Sequence, residues 1–205
     1  MSDKKTVDTA DQEVVDKAIS FWKKNSKKII TISVAIIVVV GGYLGYNNFI
    51  QIPKELKANE ELFAAENNFR KDSFNLALNG SGSTPGFLKV ISKYSGTKAA
   101  NLAHYYAGAS YLQMGEFQKA VDQLNDFSAK GAKQVEAKAE GLLGDAYAEL
   151  KKNDDAIAHY KNAGTIFEED QAISSEYLFR GAMLSEMTGK TDQAIELYQT
   201  LKDKY

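Results

Sequence analysis

At 205 residues the chain has room for one ordinary domain with appendages, and it holds no cysteine, which excludes disulfides, thiolate metal sites and cysteine nucleophiles. Charge is unevenly spread: residues 1–28 carry seven lysines against five acidic residues, 29–50 carry none, and 51–205 carry 18 basic against 22 acidic. A mildly acidic main domain excludes a phosphate backbone as the natural partner, because that contact needs clustered cations.

Only two prolines occur, Pro53 and Pro85, and the long stretches without a helix breaker favour an all-α chain. Hydrophobic residues make up 44 % of it, enough for a buried core. Near the N-terminus Val14, Val15, Ala18, Ile19 and Trp22 share one helical face, with Lys17, Lys23 and Lys24 nearby. That pattern suits a helix lying on a membrane surface, or one that continues into the segment after it.

From Ile29 to Pro53 no residue is charged, and Ile29–Tyr46 is almost wholly apolar. As a helix this stretch spans ~27 Å, close to the ~30 Å hydrocarbon thickness of a bilayer. It is too long for a buried strand. Thr31 and Ser33 are tolerable because each can bond back to the preceding turn, and Tyr43 and Tyr46 sit at the level of an interfacial aromatic belt. A segment preceded by 28 residues and lacking an Ala-x-Ala site reads as an anchor rather than a cleaved signal. Lys23, Lys24, Lys27 and Lys28 crowd its N-terminal end, so the N-terminus is expected in the cytoplasm and residues 51–205 across the membrane. Gly41 and Gly45 form a GxxxG face suited to contact with a partner helix, or glycines without a partner.

Beyond the membrane, residues 56–78 form one long amphipathic pattern, residues 79–86 read as a loop, and residues 87–95 as a short helix ending before Gly96. Self-similarity then appears. Tyr106–Val121 aligns with Leu142–Ile157, placing Gly108 on Gly144, Tyr111 on Tyr147, Met114 on Leu150 and Ala120 on Ala156. A third copy ends at Ala194 and Ile195, with Tyr198 beyond, so the alanines recur at 36 and 38 residues. Its first helix offers Gly181 and Ala182, but Leu184 and Ser185 where tyrosine is expected. Small residues allow two helix backbones to approach, and large ones such as Tyr111, Phe117, Leu124, Tyr147, Tyr160 and Tyr198 fill the space beside them.

These copies resemble the tetratricopeptide repeat, a helix–turn–helix unit. The resemblance implies a concave wall made by the first helices, displaying Leu102, Tyr105, Leu112 and Gln113 from one copy and Lys138, Asp145, Ala148 and Glu149 from the next. Such a mixed groove suits extended or partly unfolded polypeptides, although Tyr105 also has the size of a core residue. The basic-and-asparagine set with which some relatives clamp a terminal carboxylate is missing, since Gly141 and Asp145 stand in its place.

The lysine-flanked anchor, the linker helix, Ser73–Gly80, Gly86-Phe87-Leu88 and Asn101–Gly108 together resemble the YfgM-like family. That resemblance covers nearly the full chain. It implies a bacterial inner-membrane protein with a periplasmic repeat domain, associated with the SecYEG translocon and periplasmic chaperones.

Enzyme chemistry finds little to use. His104 and His159 each lie inside a repeat helix, and no H-E-x-x-H, G-x-S-x-G or G-x-x-x-x-G-K pattern occurs. No metal or cofactor is expected. The chain therefore reads as all-α, a single N-terminal transmembrane helix followed by a tetratricopeptide-repeat-like α-solenoid. Residues 1–28 form a cytoplasmic segment with an amphipathic helix, 29–50 the membrane helix and 51–205 the periplasmic repeat domain. The expected function is a membrane-anchored scaffold or chaperone for proteins, an accessory subunit of the Sec translocon that engages emerging clients. An envelope scaffold for cell division or outer-membrane assembly is the second reading, and an enzyme or enzyme regulator a remote third. Since solenoids usually finish with a polar capping helix, the end at Tyr205, directly after the third copy, suggests a truncated chain or a partner over that end.

Overall fold

The computed structural model describes residues 4–205, with side chains from Gln12 onward. The first three residues of the expected cytoplasmic segment thus lie outside the described residues. The chain divides into two compact units, Met1–Pro53 and Lys54–Tyr205.

In the first unit, α1 runs from Lys4 to Tyr46, 43 residues or ~65 Å. Residues 14–22 lie within this single helix. Ile36, Ile37, Val38 and Val39 are 56–71 % exposed. Four consecutive positions go all the way round a helix, so this stretch presents hydrocarbon on every side. One N-terminal helix is long and apolar enough to cross a membrane. Thr31 donates its hydroxyl to the Lys27 carbonyl at 2.8 Å, so its polarity is met within the helix as expected. A π-helical turn follows, Asn47–Gln51, in which the Ile52 N–H reaches back to the Asn47 carbonyl. Pro53 lacks an N–H and its ring would crowd the carbonyl four residues before it; a widened turn relieves that clash.

The second unit opens with α2 (Ile52–Phe69) from Lys54 onward and α3 (Phe74–Asn79). The continuous pattern expected over 56–78 is broken: Asp72 takes a left-handed conformation (φ 54°), and the Ser73 N–H bonds to the Asn68 carbonyl. The turn brings the rings of Phe69 and Phe74 to 5.5 Å. In a straight helix residues five apart lie ~140° apart around the axis. The expected loop closes into a minimal antiparallel ladder, β1 (Gly80–Ser81) with β2 (Thr84–Pro85). Gly80 is at φ 77°, and a side chain there would strike the Thr84 carbonyl. After α4 (Phe87–Lys93), Phe69, Phe87 and Tyr106 pack together, with Phe87 stacked on Tyr106 at 5.4 Å.

Three helix pairs follow: α5 (Lys98–Gln113) with α6 (Phe117–Asp126), α7 (Lys133–Glu149) with α8 (Asn153–Ile166), and α9 (Gln171–Met187) with α10 (Thr191–Lys204). The start of α5 is doubly fixed. Thr97 caps Ala100, and the Glu55 carboxylate accepts the N–H groups of Lys98 and Ala99 at 2.8 and 2.9 Å, where the helix dipole favours negative charge.

Each pair turns the same way. Glu116 donates its N–H to Tyr111, Lys152 to Tyr147 and Lys190 to Ser185, and Gly115, Lys151 and Gly189 take positive φ of 75°, 60° and 75°. These turns fix the register: Tyr111, Tyr147 and Ser185 are equivalent, at the same spacings of 36 and 38 seen in the alanines. The small residues perform the role assigned to them. A Cβ on Gly108 would come within 2.5 Å of Leu124, and one on Gly144 within 2.6 Å of the Tyr160 ring, while Ala120, Ala156 and Ala182 are fully buried. Where the third copy lacks tyrosine, Ser185 is buried and donates to the Gly181 carbonyl at 2.8 Å. This is an all-α solenoid.

Candidate functional site

Helices α5, α7 and α9 are the first helices of the three pairs, and the residues expected on their shared wall differ in their surroundings. Gln113 and Glu149 are exposed, as is Lys138; Ala148 is partly buried. Leu112 and Tyr105 are partly buried against the core cluster formed by α6 and α7. Leu102 faces a recess at the N-terminal end of α5 and packs against the neighbouring core.

Tyr105 has the core character that its size suggested. Its ring meets Tyr106 at 5.4 Å and Phe127 at 5.6 Å. Burial pushes its phenol up to about 12, since the charged form is poorly solvated there.

Asp145 is committed within the chain. Its Oδ1 accepts the Tyr160 hydroxyl at 2.7 Å and the Arg180 Nη1 at 2.9 Å. Arg180 also donates to Glu176 at 2.5 Å. Burial, and then the bond to Asp145, raises the Tyr160 phenol well above its ordinary range. Tyr177 is raised as well, by burial first and by Asp145 and Glu176 after it. Burial opposes the Arg180 charge, yet the two carboxylates outweigh it and raise the guanidinium further.

Gly141 explains why no clamp residue stands at its position. The Tyr177 ring lies where a Cβ on Gly141 would go, so any side chain there displaces Tyr177. With Asp145 held by Arg180 and position 141 covered by an aromatic ring, this part of the wall is closed by packing.

The third copy has residues at the equivalent register on α9. Stepping 38 residues from Lys138, Gly141, Asp145 and Glu149 leads to Glu176, Phe179, Met183 and Met187. Phe179, Met183 and Met187 are 49, 42 and 79 % exposed, an apolar line along α9 where the middle copy is polar. The signal was present in the spacing and became usable once the turn at Ser185 fixed the register.

Pairs between first and second helices recur with exchanged chemistry. His104 on α5 bonds Gln123 on α6 at 3.0 Å, and Glu140 on α7 bonds His159 on α8 at 2.8 Å. His159 also stacks on Tyr147 at 5.1 Å. Both histidines are structural bridges between paired helices. Among the described residues no group of three or more His, Asp or Glu side chains is arranged to hold a metal. Gly41 and Gly45 on α1 are open, with nothing within 4 Å of a Cβ built on either.

Residues 102–130 and 176–205 match the family model of the tetratricopeptide repeat. The two matched stretches begin at equivalent positions, Leu102 and Glu176, two repeat steps apart. The middle pair, α7 with α8, has the same turn and the same small-residue contacts. No curated protein matches the chain.

Proposed function

We propose that this protein is a membrane-anchored scaffold or chaperone that serves as an accessory subunit of the Sec translocon, as the resemblance to the YfgM-like family implies. Tetratricopeptide repeats support the coarser part, a protein-binding scaffold, because stacked helix pairs expose an extended wall to a partner. The observation that carries the reading is the pairing of that wall with an N-terminal helix exposing hydrocarbon on every side.

In this reading residues 29–50 cross the bacterial inner membrane, with the N-terminus cytoplasmic and the repeat domain of residues 51–205 periplasmic. The lysines at positions 23, 24, 27 and 28 support that orientation. The open face at Gly41 and Gly45 supports contact with a translocon helix, since small residues let helix backbones approach. Clients are extended or unfolded chains, held by the repeat wall and passed to periplasmic chaperones. Tethering performs the work: a wall fixed beside the exit raises its effective concentration for the emerging chain without a new contact.

Co-purification from solubilised membranes tests this. Translocon subunits retained through a high-salt wash support the reading. Retention of cell-division or outer-membrane assembly proteins in their place contradicts it and favours a general envelope scaffold.

A further inference from the structure

At the corner where α5, the α6–α7 loop and α7 meet lies a cavity of about 310 Å³. Its apolar wall is Leu102 from α5, Phe127 and Ala129 from the loop, and Ala132 and Val135 at the start of α7. The loop is held open by a two-way brace: Asn101 donates to the Ser128 carbonyl at 2.8 Å and accepts the Ser128 N–H at 2.9 Å. Lys130 and Gly131 then take positive φ of 47° and 89° and turn the chain into α7. The volume falls at the small end of the ~300–1,000 Å³ range of ligand pockets, room for one bulky apolar side chain and adjoining backbone.

The rim adds charge of one sign. Lys98 and Lys130 line the cavity, both are exposed, and no carboxylate lines it with them. Among the described residues neither ammonium belongs to an ion pair, although Lys93, Lys119, Lys161, Lys190 and Lys204 each have one. Asp126 lines a neighbouring recess with Lys130 without pairing to it. In a domain with more acidic than basic residues, the lining of this cavity is positive, with Glu55 on the Lys98 N–H and Asp126 in the neighbouring recess as the adjacent carboxylates.

We propose that this recess is an anchor site for a polypeptide segment bearing one bulky apolar side chain flanked by carboxylates. The apolar side chain fills the space between Leu102, Phe127 and Val135, and the flanking carboxylates face Lys98 and Lys130. Basic flanks are repelled, so the site discriminates by charge as well as by size. This assignment rests on the protein-binding reading and locates one contact within it.

The test uses the full chain in lipid nanodiscs and short fluorescent peptides with a central Phe flanked by either glutamates or lysines, read by anisotropy. The glutamate peptide is expected to bind, more weakly as salt rises, and the lysine peptide not to bind. The surface double variant K98E/K130E is expected to weaken the glutamate peptide by about tenfold. Ala132→Phe, which fills the cavity from an exposed position, is expected to weaken it comparably at an unchanged melting temperature. Equal binding of both peptides, or a change within about twofold in K98E/K130E, overturns the assignment. Photo-crosslinking from Gln113 separates this failure from that of the broader reading. Polypeptide adducts at Gln113 with no effect of K98E/K130E sink the anchor site alone, whereas wild-type protein giving neither adducts nor peptide binding sinks both.

Discussion

Tyr160 on α8 donates its hydroxyl to Asp145 on α7 at 2.7 Å, and Arg180 on α9 reaches the same carboxylate oxygen at 2.9 Å. One side chain thus joins the two helices of the second pair to the first helix of the third. Asp145→Ala leaves a buried phenol without its acceptor and an exposed guanidinium with one partner fewer. The expected loss is about 1–3 kcal/mol of unfolding free energy, toward the lower end because Asp145 and Arg180 retain some solvent. Urea titration of the full chain in detergent checks it, with Glu149→Ala, exposed and outside this network, as the near-neutral control.

Gly108 and Gly144 are set where paired helices touch. Replacing either by alanine gains about 1 kcal/mol of helix propensity but drives a methyl into Leu124 or into the Tyr160 ring. Overpacking of that kind costs ~1–3 kcal/mol, so each variant is expected to lower the midpoint. Gly41→Ala and Gly45→Ala meet open space and are expected to leave the midpoint of the solenoid unchanged.

Lys151 holds φ 60° at a turn where the other two copies have glycine at 75°. A left-handed conformation is unfavourable for a residue with a Cβ by about 1 kcal/mol. Lys151→Gly is therefore expected to stabilise the repeat domain by ~0.5–1 kcal/mol, less the extra freedom glycine gives the unfolded chain. A rise in thermal midpoint is the readout.

Tyr105 gives the domain an alkaline limit. Its folded pKa, about 12, lies above the ~10 of an unfolded tyrosine. The folded state then holds a proton the unfolded state has lost, so this contribution is complete below about pH 10 and disappears as pH rises toward 12. Stability is expected to fall there by up to about 1.4 kcal/mol per pH unit from this group. Tyr105→Phe should make that part of the profile shallower without abolishing it, since Tyr160 and Tyr177 are raised as well, followed by urea midpoints at stepped alkaline pH.

The elements most legible in the sequence were those with a strict local rule. The uncharged run from Ile29 marked the apolar helix, and the recurrence of Gly108 with Ala120 and Gly144 with Ala156 marked the paired helices. The break at Asp72 was not legible, because the apolar pattern carries on through a turn whose purpose is to bring Phe69 against Phe74. The fate of the wall residues was less legible still. Asp145 in isolation is a groove carboxylate; only Arg180, 35 residues later, turns it into a packing bridge. Gly141 marked a missing clamp residue, but its cause is the Tyr177 ring laid over it from the next copy. Contacts between successive copies depend on which side chain crosses from one helix to another, and a single repeat does not contain that information. The apolar line at Phe179, Met183 and Met187 was hidden by a lengthened third copy, whose register became clear through the turn at Ser185.

Site-specific photo-crosslinking in native membranes, with probes at Gly45 and Gln113, tests most directly whether the protein receives clients at the translocon. Translocon subunits captured from Gly45, together with nascent or unfolded chains captured from Gln113, are the predicted result. Adducts confined to cell-division or outer-membrane assembly proteins, or folded partners alone at Gln113, would contradict it.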